Sequence, residues 1–245
     1  MCGIVGYIGN KKAIPVLLNG LSKLEYRGYD SAGVSVNENG TLKVIKCKGR
    51  LSCLEDRLEA EKLEGCMGIG HTRWATHGEP NDVNSHPHIS QSGEIAIVHN
   101  GIIENYMQIK EFLLSQGYTF QSETDTEVIA HLVEYYYEGS LVDAVMKVID
   151  EIEGSYALGV LCKDEQDMFV CARKDSPLII GLGEGENFIA SDIPAILEYT
   201  RNIYILEEKE VAIIKKDSVQ VFNSLGAPVN KKIFKVDWNV EAAEK

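Results

Sequence analysis

The chain opens Met1-Cys2-Gly3-Ile4-Val5-Gly6-Tyr7-Ile8, and the reading of this stretch decides the fold. Initiator methionine is usually trimmed when the next side chain is small, as cysteine is. Cys2 would then lead the chain and carry both a thiol and a free α-amine. A thiol titrates near ~8.5 and an α-amine near ~7.7–8.0, so around neutrality the amine is able to take the thiol's proton. Nucleophile and general base then share one residue, the N-terminal-nucleophile arrangement. Ile4, Val5, Tyr7 and Ile8 read as a short buried strand that pins the terminus inside the fold. Gly3 and Gly6 remove bulk beside the thiol, so a substrate is able to approach the backbone. The competing reading is an idle thiol on a terminal strand, and these residues alone do not separate the two.

Composition narrows the choice. The 245 residues suffice for one large domain or two small ones, and 44% hydrophobic with 25% charged residues is ordinary for a globular protein. A net charge of −13 argues against nucleic acid or an anionic membrane as partner. No apolar run approaches the ~20 residues of a membrane span. Lys11 and Lys12 follow the first apolar run too closely for a signal peptide. The six cysteines, Cys2, Cys47, Cys53, Cys66, Cys162 and Cys171, show no Cys-x-x-Cys spacing. Without a secretion signal they are expected to be reduced thiols of a cytoplasmic protein.

Outward from the first strand, Ile14, Leu17, Leu18, Leu21 and Leu24 recur at helical spacing and predict a helix over 12–25. Val34 and Val36 start a strand, 37–40 a turn, and 41–47 its return. Ser52 with Glu55 reads as a capping box for a helix to about Leu63. A strand at 67–73 leads to a polar loop, 74–90. A strand at 94–99 ends at Asn100-Gly101, and a helix over 104–116 closes at Gly117. Thr124 with Glu127 reads as a second capping box, opening a helix to Tyr137, and another helix covers 141–153. From 155 the pattern turns to strands, at 155–162, 168–173, 178–182, 187–190, 203–207, 210–215 and 218–222. A short helix is expected near Asp192. Residues 223–245 read as a connector. Many hairpin strands with separate helices predict an α+β domain of antiparallel sheets covered by helices.

Four loops carry candidate chemistry. In His71-Thr72-Arg73-Trp74-Ala75-Thr76-His77-Gly78, an arginine at a strand end suits a bidentate grip on a carboxylate, with Trp74 as a cover. The alternative is a surface arginine beside a packed tryptophan. In His99-Asn100-Gly101, the Asn100 amide and the Gly101 N–H suit an oxyanion site; the alternative is a plain turn. In Glu123-Thr124-Asp125-Thr126-Glu127, Asp125 is expected in the first turn of a helix, able to hold an ammonium group; the alternative is a solvated cap. His86-Pro87-His88, with His71 and His77, invites a zinc reading. Suitable carboxylate or thiolate ligands are distant, so histidines that hold loop shape are preferred and no metal is expected.

Taken together, Cys2 to Gly6, Tyr26-Arg27-Gly28-Tyr29-Asp30-Ser31-Ala32-Gly33, His71 to Gly78, His99 to Gly101 and Thr124-Asp125 resemble the glutaminase domain of the glucosamine-6-phosphate synthase family. The Cys-Gly-Ile opening is shared with other class II glutamine amidotransferases; the two longer motifs narrow the resemblance. It covers residue 2 to the tail, and no motif position departs from it. It implies a four-layer αββα sandwich of the N-terminal-nucleophile hydrolase type over 2–222, and a connector over 223–245 leading to sugar-phosphate isomerase domains.

The resemblance further implies that Cys2 attacks the side-chain amide of L-glutamine while Asn100 and Gly101 hold the oxyanion. Arg73 would take the α-carboxylate and Asp125 the α-ammonium. Trp74, Thr76 and His77 would belong to a closing loop, with Arg27 and His86 bracing it. No cofactor or metal is implied. The partners implied for the longer enzyme are its own isomerase domains, fructose 6-phosphate and a second copy in a homodimer. Two other readings stay open: another class II amidotransferase with a different acceptor, and a glutamine-binding module without hydrolysis. A metal-dependent hydrolase using the histidine loop is a third.

Overall fold

The computed structural model describes residues 2–74 and 78–237; Thr76 and His77 lie outside the described residues, as does the tail from 238. Among the described residues two sheets form. The first has eight strands in the order β15 (Phe234–Lys235), β11 (Asn202–Ile205), β9 (Ile179–Leu182), β10 (Asn187–Ala190), β1 (Gly3–Ile8), β4 (Met67–Arg73), β2 (Ser31–Asn37), β3 (Leu42–Lys48). The second has seven, in the order β14 (Pro228–Val229), β13 (Val219–Phe222), β12 (Glu210–Lys215), β8 (Met168–Lys174), β7 (Gly154–Cys162), β6 (Ile95–Ile103), β5 (His88–Ile89). Strand pairing is antiparallel in both sheets. Helices α1 (Ala13–Ser22) and α2 (Leu51–Glu61) cover the first sheet. Helices α3 (Tyr106–Ser115), α4 (Glu127–Tyr136) and α5 (Leu141–Glu151) cover the second.

Three apolar layers follow from this stacking. Ile4 and Ile8 of β1 face Val98, Ala157 and Phe169 between the sheets. Val5 and Tyr7, on the opposite face of the same strand, pack with Leu17 and Leu21 of α1. All six residues of β1 are buried, so the strand is apolar on both faces and sits centrally, with β10 on one side and β4 on the other. This is the expected four-layer αββα sandwich, and it places Cys2 immediately before a central, fully buried strand.

Several local expectations are corrected. Helix α2 starts at Leu51 without a side-chain cap from its own segment; the Leu51 N–H is taken by Glu25 Oε1 at 3.1 Å. The acid that caps it comes from the preceding 3₁₀ turn, so Ser52 and Glu55 are not needed as a box. Glu127 accepts from the N–H groups of Gln121 at 2.9 Å and Ser122 at 2.7 Å, while Thr124 Oγ1 pairs with His88 Nε2 at 3.0 Å. Asp125 therefore precedes α4 instead of lying in its first turn. Strand β6 runs through Asn100-Gly101 to Ile103 because β7 pairs with it to the end. Residues 228–229 and 234–235, expected within a connector, add a strand to each sheet. Cys47 and Cys53 are joined in a disulfide, the end of β3 and the first turn of α2 holding their Cα atoms 6.2 Å apart. The expectation of thiols throughout fails at this pair; Cys2, Cys66, Cys162 and Cys171 are free.

Candidate active site

Three strands converge on Cys2. It immediately precedes β1, whose partner β4 pairs Thr72 with Gly3 and carries Arg73 and Trp74 beyond. From the other sheet β6 brings His99, Asn100 and Gly101. The Trp74 N–H donates to Cys2 Sγ at 3.2 Å, and the Cys2 thiol lies 3.6 Å from the Trp74 carbonyl. Asn100 Nδ2 donates to the Cys2 carbonyl at 3.0 Å, joining the two sheets at the thiol. Burial pushes the Cys2 thiol pKa up. The Trp74 N–H, the chain's amino terminus and Arg73 pull against burial without overcoming it. The sulfur is thus held as a thiol at neutral pH and needs a base to become a nucleophile.

The β6 geometry shows where its free donors point. Along its last residues the N–H groups of Ile102 and Glu104 turn toward β7, to Ser155 Oγ at 3.3 Å and Glu153 O at 2.9 Å. Those of His99 and Ile103 turn to the opposite edge, to His86 Nδ1 at 3.3 Å and Asp125 Oδ2 at 2.8 Å. Strand alternation directs the Gly101 N–H to that same edge, between His86 and Asp125. Only glycine fits here: φ is +132°, and a Cβ would stand 2.1 Å from the Ser155 carbonyl oxygen.

Cys2, Arg73, Trp74, His86, Asn100, Gly101 and Asp125 line one cavity of about 40 Å³, together with His99, Thr124 and Thr126. Arg73 is buried, and its Nη2 donates to the Gly78 carbonyl at 3.3 Å. A cation and an anion, Arg73 and Asp125, therefore stand on the walls of the same small space. Trp74 is 54% exposed and lies over Gly28, where a Cβ would come within 2.3 Å of the indole. Gly28, with φ +96°, is what lets the ring lie there. Arg27 does not line the cavity; its guanidinium pairs with Asp192 and the Tyr26 hydroxyl. A larger cavity, about 630 Å³, lies at the far ends of β1 and β4 beside Ile8 and Met67, away from every motif residue.

Behind the cavity is a buried histidine cluster. The His71 and His86 rings stack 4.2 Å apart, and His88 meets His86 edge-on at 4.8 Å. Burial lowers the pKa of His71 to about 3 and depresses His86 and His88 well below the usual range, so all three are neutral. Among the described residues no group of three His, Cys, Asp or Glu side chains is placed to hold a metal ion. The histidines instead serve as hydrogen-bond partners: His86 Nδ1 takes the His99 N–H where β5 has ended. Sequence reasoning left His99 and Thr126 without roles, yet His99 Nδ1 bonds Thr126 Oγ1 at 2.9 Å and ties β6 to the start of α4.

A cysteine leading a central strand of an αββα sandwich, with a small polar cavity at its side, fits the N-terminal-nucleophile hydrolase class, and comparison with known proteins defines it further. Residues 71–198 match the family model described as glutamine amidotransferase domain, and the chain belongs to that family. Two relatives, both named glutamine–fructose-6-phosphate aminotransferase [isomerizing], match over the whole chain. That of Caldanaerobacter subterraneus subsp. tengcongensis is 64% identical and that of Thermus thermophilus 51%. The chain spans 40% of the length of each. Among solved structures, the glutamine PRPP amidotransferase from B. subtilis superposes with a TM-score of 0.79 at 28% identity. The match covers 91% of this chain and 49% of that one.

Proposed function

We propose that this chain is the glutaminase unit of a glutamine–fructose-6-phosphate aminotransferase, and that it hydrolyses L-glutamine to L-glutamate and ammonia through Cys2. With Met1 removed, the Cys2 α-amine takes the thiol proton, directly or through a water, as sulfur bonds to the side-chain carbonyl carbon. Negative charge gathers on the carbonyl oxygen, where Asn100 Nδ2 and the Gly101 N–H meet it. The carbon–nitrogen bond breaks, the amine returns its proton to the departing nitrogen, and ammonia leaves. A glutamyl thioester remains on Cys2. Water, deprotonated by the same amine, attacks the thioester; the carbon–sulfur bond breaks, glutamate departs and the thiol regains a proton.

Arg73 takes the α-carboxylate and Asp125 the α-ammonium, which selects an amino acid over a simple amide. Trp74, Thr76 and His77 are assigned the part of covering bound glutamine and keeping water from it. Arg27 and His86 are assigned to support that cover; Arg27 pairs with Asp192, and His86 Nδ1 accepts from the His99 N–H of β6. In the longer protein, the ammonia passes to isomerase domains and converts D-fructose 6-phosphate to D-glucosamine 6-phosphate, the whole acting as a homodimer in the cytoplasm. On this reading the glutaminase unit runs on through 228–229 and 234–235, which add one strand to each sheet.

The observation that carries this reading is the meeting of Cys2 Sγ, Asn100 Nδ2 and the Gly101 edge in one cavity with Arg73 and Asp125. The test is Cys2→Ala, assayed for glutamate release and, by calorimetry, for glutamine binding. Turnover is expected to vanish while binding persists. Undiminished hydrolysis rejects the nucleophile.

A further inference from the structure

The amide of Asn100 can serve as a donor at the thiol only if its Nδ2, and not its Oδ1, faces Cys2. Both ends of a carboxamide have nearly the same shape, so packing alone does not choose. The surroundings do. Asn100 Oδ1 lies 2.9 Å from His71 Nε2, and the same His71 Nε2 lies 3.1 Å from the His99 carbonyl oxygen. A backbone carbonyl only accepts, so it requires that His71 carry its proton on Nε2. That proton then favours an acceptor on Asn100, which turns Oδ1 to His71 and Nδ2 to Cys2 at 3.0 Å from its carbonyl. With the amide reversed, Oδ1 would face the Cys2 carbonyl, acceptor against acceptor, and Nδ2 would face an N–H.

The rest of His71 is consistent with this single duty. The ring is 1% exposed, and among the described residues its Nδ1 has no hydrogen-bond partner. Burial holds the imidazole neutral, its pKa lowered to about 3, so it does not shuttle protons at working pH. The His86 ring stacks on it at 4.2 Å. His71 does not line the cavity.

We propose that His71 is a positioning residue for glutamine hydrolysis, holding the Asn100 amide with its N–H end toward the reacting carbonyl by a hydrogen bond from Nε2 that the His99 backbone carbonyl fixes in place. The inference rests on the Cys2 glutaminase reading. It concerns the orientation of the oxyanion donor and leaves glutamine binding and the thiol itself untouched.

Two substitutions test it. His71→Leu removes the donor; His71→Gln keeps an N–H donor that reaches both the His99 carbonyl and Asn100 Oδ1. Each purified variant is assayed for glutamate release and for the rate at which iodoacetamide alkylates Cys2, and its thermal midpoint is measured. His71→Leu should lower kcat about 10- to 100-fold, the loss typical of a misplaced catalytic group, with KM for glutamine within about threefold of the parent. Its alkylation rate should stay within about twofold, and His71→Gln should recover most of kcat. A Leu variant with parental kcat overturns the proposal. So does a Gln variant that folds but is as impaired as the Leu one, or a loss shared equally by alkylation and turnover. If the parent chain alkylates at Cys2 but releases no glutamate, the glutaminase reading itself fails, which the parent assay reports separately.

Discussion

Gly101→Ala puts one methyl group where the structure has least room. Its Cβ would stand 2.1 Å from the Ser155 carbonyl oxygen, a backbone atom of β7 that also lies 3.4 Å from His99 Nε2. Relief to ordinary contact requires a separation greater by about 1 Å, and much of it falls on β6, since β8 pairs with β7 from Ala157 to Val160. The residue also sits at φ +132°, which costs a side-chain-bearing residue roughly 1–3 kcal/mol. For a chain of this size that strain corresponds to a fall of roughly 2–12 °C in thermal midpoint. The same movement carries the Gly101 N–H away from the developing oxyanion, and a 1 Å misplacement costs about 100-fold in rate. The expected result is a folded variant with kcat for glutamate release down about 100-fold and KM nearly unchanged, because the donor acts on charge that exists only in the transition state. Stopped glutamate assays over a range of glutamine concentrations, with calorimetric melting alongside, measure both. A variant with parental kcat and midpoint would refute the assignment of this N–H and the rigidity ascribed to the β6–β7 pair.

Other consequences follow from the same geometry. Arg73→Ala should raise KM for glutamine by about 10- to 100-fold with a smaller effect on kcat, since a charge-assisted grip on the α-carboxylate contributes about 1.5–3 kcal/mol to ground and transition state alike; a loss confined to kcat contradicts that role. Glu127 gives a stability effect with a definite sign. Burial opposes its ionisation, but hydrogen bonds from His131, Ser122 and Gln121 prevail and hold its pKa at about 2 against an ordinary 4.5. Its contribution is therefore complete above about pH 4.5 and is lost as pH falls toward 2, amounting to about 3 kcal/mol. Urea unfolding at pH 7 and pH 3 should show the parent losing more stability than Glu127→Gln; equal losses would remove Glu127 as the cause.

Much of this was legible in the sequence where local pattern and tertiary demand coincide. The apolar run from Ile4 to Ile8 could only be a buried strand, and it is buried on both faces. Cys2, Arg73, Asn100, Gly101 and Asp125 were each marked by residue type at a strand or helix end, and one cavity gathers them. What failed was decided by distant partners. The cap of α2 comes from Glu25, outside the local window that made Ser52 and Glu55 look sufficient. Asn100-Gly101 resembled a strand end because glycine weakens strand propensity, but β7 carries β6 past it to Ile103. The polar tail looked like a connector since two-residue strands bear no periodic signal, yet Phe234 pairs with Ile203 in β11. Cys47 and Cys53 are six residues apart in sequence, and only the fold of α2 against β3 shows that they meet. His71 had no local sign of its relation to Asn100, which lies 29 residues away on the other sheet.

The account stands on the shared action of a sulfur and an unblocked nitrogen at Cys2, and the most direct test is intact-mass spectrometry coupled to glutamate release on preparations that differ only in Met1. Activity should scale with the fraction lacking Met1 and vanish when that methionine is retained. Full turnover by material that keeps Met1 would contradict the mechanism.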